Sequence, residues 1–161
     1  MKRSISYFLE PLFILGLYSK DYLELILTGI TNDNIDITVD TLKNSLCGYL
    51  KEISNDRIHA EIEIIKRGFR PSGGGKIKFK INYLKTPLSQ INLTNTKKLI
   101  KRIRGTAVSS KVSTNFLNEM ISKTREIFND YIPDVWVFSE LVKNNTDRHY
   151  GISLHTNTNI T

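Results

Sequence analysis

A chain of 161 residues, 40% of them hydrophobic and 24% charged, has room for one ordinary domain or two small ones, and this composition excludes a disordered protein. The net charge of +7 is moderate, and the lone Cys47 excludes an internal disulfide framework and a cysteine-rich zinc site. The longest apolar stretch, Pro11 to Tyr18, falls far short of the roughly 20 residues a membrane-spanning helix needs. Met1-Lys2-Arg3 before that stretch resembles the start of a secretory signal. Glu10 and Pro11 interrupt the place of its apolar core and no small-residue cleavage site follows, so the chain reads as intracellular.

In chain order, SISYFLEPLFILGLYS predicts a first helix, with Pro11 either starting its main body or kinking it. YLELILTG, Tyr22 to Gly29, is short, alternating and β-prone, and predicts a strand; ITNDNID reads as an Asn/Asp turn. Val39, Leu42, Leu46, Tyr49, Leu50 and Ile53 recur at three-and-four spacing and predict a helix with one apolar face, capped by Thr38 or Asp36. Cys47 lies near that face and reads as a small packing residue. HAEIEIIKRG and KIKFKINY predict two strands. In the second, Ile77, Phe79 and Ile81 share one face and Lys76, Lys78 and Lys80 the other, the lysines spaced at about 6.6 Å. LKTPLSQINLTNT reads as a linker. After it come a basic strand in KLIKRIRGTAVSS and a helix in STNFLNEMISKTREIFNDY, with Phe116, Leu117, Met120, Ile127 and Phe128 on its buried side. DVWVFSELV reads as a buried strand whose Trp136 and Phe138 belong to the core, and HYGISLHTNT as a closing strand.

The order is α-β-α-β-β, linker, β-α-β-β, an α+β or α/β protein. Its charge is unevenly placed. Met1 to Ile65 balances at −4 and Gly105 to Thr161 at −1, whereas Lys66 to Arg104 holds 12 Lys and Arg and no acid. Unbroken like charge repels itself, so such a segment points to a polyanionic partner. The candidate nucleic-acid contacts within it are Lys66, Arg67, Arg70, Lys76, Lys78, Lys80, Lys98, Lys101, Arg102 and Arg104.

The glycines of KRGFRPSGGGKIKFK do not make a nucleotide cradle. Arg70 stands where a P-loop needs its first glycine, Ile77 stands where it needs a hydroxyl, and a strand follows instead of a helix. The dinucleotide fingerprint fails likewise. The loop reads as a turn between antiparallel strands His59–Gly68 and Lys76–Tyr83. His149 and His155, six residues apart on one strand, stand about 20 Å apart, too far to share a metal ion, and His59 has no partner. Asp33, Asp36 and Asp40 lack the spacing of a calcium loop and read as turn and cap residues. No catalytic, cofactor or metal residue is assigned.

RSISYFLEPL, LTGITNDNIDITVDTLK, IIKRGFRPSGGGKIKFK, IKRIRGTAVSSKVS, FNDYIPDVWVF and YGISLHTNT occur in the order found in RNA 3′-terminal phosphate cyclases and their relatives, which the chain resembles nearly end to end. GITNDNIDITVDTLK is similar to the cyclase-like proteins of eukaryotic ribosome biogenesis, whose Gly-Val-Thr-Asn-Asp phrase leads into Ser-Val-Asp. The resemblance implies a partial βαβαββ repeat unit over residues 1–83, a linker over 84–96 and an inserted βαββ α/β domain over 97–161. It further implies a non-catalytic role in small-subunit ribosomal RNA processing in the nucleolus. The implied partners are pre-ribosomal RNA, a large ribosome-assembly GTPase and other small-subunit pre-ribosome proteins; no membrane and no cofactor is expected. The cyclase histidine of the His-Leu-Ala-Asp-Gln phrase has no counterpart, since His155 belongs to a Gly-Ile-Ser-Leu phrase. A piece of an ATP-dependent cyclase is the competing reading. A third is a protein-binding module whose Lys76, Lys78 and Lys80 dock an acidic segment.

Overall fold

The computed structural model describes residues 3–88, 90, 100–143 and 147–157. The chain divides into two units, Met1–Asn92 and Leu93–Thr161.

The first unit begins with helix α1 (Ile5–Leu17), which buries Ile5, Leu9, Phe13 and Leu17, a face at helical spacing. Pro11 sits in mid-helix, so it does not start the helix body. It lies with Tyr7, the residue whose carbonyl it leaves without a donor, on the exposed side. Strand β1 (Leu23–Gly29) follows. A continuous helical stretch is built from α2 (Val39–Thr41), a π turn (Leu42–Leu46) and α3 (Cys47–Ile53). Thr38 caps it, its hydroxyl accepting from the Thr41 amide at 3.3 Å. The wider π turn shifts the helical register, so Leu50 is buried and Tyr49, expected on the apolar face, is exposed.

Strands β2 (Ala60–Lys66) and β3 (Gly75–Ile81) complete an antiparallel sheet in the order β1-β3-β2. Its register aligns Leu25, Phe79 and Ile62 across three strands, and likewise Leu27, Ile77 and Ile64. These side chains meet α1 and the α2–α3 stretch in one core, where the Phe13 and Phe79 rings stand 4.8 Å apart edge to face. The lysine alternation of β3 therefore faces away from the core, as its period requires.

In the second unit, β4 (Arg102–Ser110) is central. It pairs parallel with β5 (Asp134–Val142) and antiparallel with β6 (His149–Asn157). Helix α4 (Thr114–Asn129) is the crossover, capped by the Ser113 hydroxyl. It covers one face through Leu117 and Ile121, against Ala107, Val137, Ile152 and Leu154. The buried side of α4 differs from the expected one: Leu117, Ile121 and Thr124 are buried, while Phe116 and Ile127 are exposed. Trp136 and Phe138 are also not core residues. Among the described residues β5 is an edge strand whose Val135 and Val137 are buried, so Trp136 and Phe138 point to the other side of it and are 52% and 58% exposed.

Candidate nucleic-acid interface

The motif-bearing loops of the first unit converge on one end of the β1-β3-β2 sheet. The Thr31 amide donates to the Gly68 carbonyl at 2.8 Å, and Asn32 and Phe69 form a short parallel bridge. Gly68 and Gly75 are glycines because of this meeting. A Cβ on Gly68 would stand 2.1 Å from the Gly75 nitrogen, and one on Gly75 would stand 2.8 Å from the Gly29 carbonyl oxygen. Gly73 and Gly74 instead supply backbone at φ +70° and +71°, which side chains disfavour. The loop is a turn between antiparallel strands, and its glycines serve the chain's own backbone.

The acidic residues of ITNDNID hold this knot together. Asp33 accepts from the Ile35 and Asp36 amides at 3.1 and 2.8 Å, closing a turn on itself. Its other oxygen takes the Arg70 Nε at 3.0 Å. Asp36 accepts the Ser4 amide at 2.8 Å, which caps α1 from another segment, and pairs with the Arg3 guanidinium. Asp40, beneath, receives Arg67 bidentately at 2.7 and 2.8 Å, and Asn32 joins both. The Arg67 and Asp40 side chains are 5% and 6% exposed.

Arg67 is buried against Asp40, so it belongs to the core and not to a surface interface, a correction to its place among the candidate contacts. Arg70 is tied to Asp33. Lys78 and Lys80 lie on the outer sheet face as expected, but the neighbouring strands bring glutamates beside them: Lys78 meets Glu24 at 2.7 Å and Lys80 meets Glu61 at 3.7 Å. The segment without acids along the chain is therefore not acid-free across the ladder. In the second unit Arg102 and Arg104 share Asp134, Arg104 bidentately at 2.7 and 2.8 Å. Lys98 lies outside the described residues. Among the described residues Lys66, Lys76 and Lys101 remain exposed and form no ion pair.

Lys66 and Lys76 are the notable two, because a bulge between Ile64 and Lys66 sets them directly opposite one another on β2 and β3. Like charges so placed destabilise a ladder, and an anion between them would relieve the repulsion.

These pairings fix the titration of the carboxylates. Burial pushes the Asp40 carboxyl up, but the hydrogen bonds and charge of Arg67, with the Asn32 amide, hold it below the ordinary 3.8. The Arg3 hydrogen bond and Ser4 amide hold Asp36 down, and the Arg104 hydrogen bond does so for Asp134. A carboxyl depressed in the fold contributes stability that is present above its unfolded value and lost as pH falls through its folded value. The urea midpoint is expected to fall steeply below about pH 4, and Asp36→Asn to shallow that fall in a pH series of denaturation curves.

Burial drives the Cys47 thiol up to about 11, so it is neutral and unreactive at physiological pH, in keeping with a packing role. Among the described residues no cluster of His, Cys, Asp and Glu is arranged to hold a metal ion. No described helix is long and apolar enough to cross a membrane. Sequence reasoning missed Asp40 and Asn32 as partners of Arg67. The available signal was an arginine leaving a strand beside a buried turn, too weak to name the acid.

The family model for RNA 3′-terminal phosphate cyclase matches residues 2–161. The RNA 3′-terminal phosphate cyclase-like protein of Homo sapiens is 38% identical over 94% of this chain and 40% of its own length. The rRNA processing protein rcl1 of Schizosaccharomyces pombe is 36% identical over 98% of this chain and 44% of its own length. A probable RNA 3′-terminal phosphate cyclase-like protein of Arabidopsis thaliana is 37% identical over 98% of this chain and 42% of its own. This chain thus spans about two fifths of the length of the curated relatives it matches. With the family model running through both units, the chain belongs to the RNA 3′-terminal phosphate cyclase family.

Proposed function

We propose that this chain is part of a non-catalytic ribosome-biogenesis factor that acts in small-subunit ribosomal RNA processing within the nucleolar pre-ribosome. The observation that carries this reading is the 36% identity, over 98% of the chain, to a relative named for rRNA processing. Its partners are pre-ribosomal RNA, a large ribosome-assembly GTPase and other small-subunit proteins. In this reading the first unit contacts RNA phosphate through Lys66 and Lys76, and the paired Lys78 and Lys80 contribute little.

Binding of ribosomal RNA fragments should weaken with salt at a log–log slope of about −0.9 per phosphate neutralised on duplex and about −0.7 on single strands. The double variant Lys66→Ala/Lys76→Ala is expected to flatten that slope by about 2 on duplex, and Lys78→Gln/Lys80→Gln to leave it nearly unchanged. Equal effects of the two pairs, read by fluorescence anisotropy across a salt series, would sink the assignment. The whole-protein role is tested by depleting the parent protein and probing small-subunit rRNA precursors, which should accumulate, and by co-precipitation of a GTPase. Covalent labelling of the parent protein by radioactive ATP would instead establish the cyclase reading.

A further inference from the structure

We propose that the β5 edge of the second unit's sheet, on the side turned away from Val135 and Val137, binds single-stranded RNA by stacking bases on Trp136 and Phe138; this rests on the RNA-binding role proposed above. The two residues stand two apart on the edge strand β5, with ring centroids 6.1 Å apart and planes at 67°. Both side chains project from the face opposite α4, and both are more than half exposed. Side by side on β4, Arg104 is in register with Trp136 and Thr106 with Phe138.

The surrounding charge selects the occupant. Arg102 and Arg104 share the single carboxylate of Asp134, which leaves a net positive cluster at the Trp136 end. Arg125 of α4 adds a third guanidinium, 5.5 Å from the Trp136 ring centroid. An apolar helix from another segment would need an aliphatic floor. Here the sole aliphatic residue that β4 turns to this side is Val108, which is already buried, and its neighbours Arg104 and Thr106 are polar. Exposed aromatic rings, a cationic rim and a hydroxyl suit bases and phosphates together.

Trp136 is the only tryptophan of the sequence, so its emission reports this face alone. The 161-residue chain is titrated with a short oligouridylate and with a matched RNA duplex, following both tryptophan emission and RNA anisotropy. Expected are quenching by the single strand and not by the duplex, and roughly tenfold weaker binding for each of Trp136→Ala and Phe138→Ala, with Trp136→Phe recovering part of the loss. Circular dichroism checks folding; if Trp136→Ala fails to fold, Phe138→Ala with Trp136 as reporter still decides. RNA binding with unchanged emission and wild-type affinity in Phe138→Ala overturns this site but leaves the RNA-binding role standing. No RNA binding at low salt overturns both. Shielding of Trp136 from acrylamide and from RNA in the full-length parent protein would make the face an internal packing surface and also overturn it.

Discussion

Replacing Arg67 with alanine is expected to lower the stability of the first unit by about 3–5 kcal/mol. The side chain is buried with Asp40, and its two terminal nitrogens give Asp40 both of its strongest hydrogen bonds and Asn32 a third. Removing the guanidinium strands a carboxylate in the interior, which costs far more than the pair itself contributes. Removing both ions separates these terms. In a double variant Arg67→Met/Asp40→Leu most of the loss should be recovered, because no unpaired charge remains and the added methylenes pack. Urea denaturation by far-UV circular dichroism reads all three proteins; tryptophan emission does not, since Trp136 lies in the second unit. A single variant as stable as the parent would show that Asp40 finds water or another donor, and the buried arrangement would be wrong.

Gly68→Ala is expected to cost about 3 kcal/mol or more, the upper range for overpacking. Its Cβ would fall 2.1 Å from the Gly75 nitrogen, 2.5 Å from the Gly73 carbonyl oxygen and 2.6 Å from the Gly29 carbonyl oxygen. All three are backbone atoms of ladder or loop, so no rotamer change relieves the overlap, and the Thr31–Gly68 bond must break or the strands separate. Gly48→Ala supplies the control. Nothing lies within 4 Å of its Cβ, and it sits in the helical stretch, where alanine should gain up to about 1 kcal/mol. Opposite signs for two identical substitutions, measured as shifts in melting temperature, are the expected result. A neutral Gly68→Ala would mean that the loops do not meet as described.

Period and turn chemistry were legible wherever one element decided its own fate. Ile77, Phe79 and Ile81 faced inward because strand alternation leaves no other choice once one side is apolar. Asp33 and Thr38 closed a turn and capped a helix through amides within three residues. What failed depended on neighbours in space. Glu24 and Glu61 reach Lys78 and Lys80 only through the register of three strands, and composition along Lys66 to Arg104 carries no trace of it. Trp136 and Phe138 looked buried because β5 is apolar on both sides, and a strand at a sheet edge cannot be told from a central one by its own residues. The π turn moved Tyr49 outward for a reason invisible to simple three-and-four spacing.

The two sheets also differ in when their middle strand leaves the ribosome. In the first unit β3 is made last and is, among the described residues, the sheet partner of both β1 and β2, so neither earlier strand can complete that ladder until Ile81 has emerged. In the second unit the middle strand comes first: β4 waits with two bare edges until β5 and then β6 arrive. A chain cut short before His149 leaves β4 unpaired on one side, and unpaired strand edges recruit other chains. Premature termination in that stretch should therefore yield aggregates more readily than a stop just after the first unit.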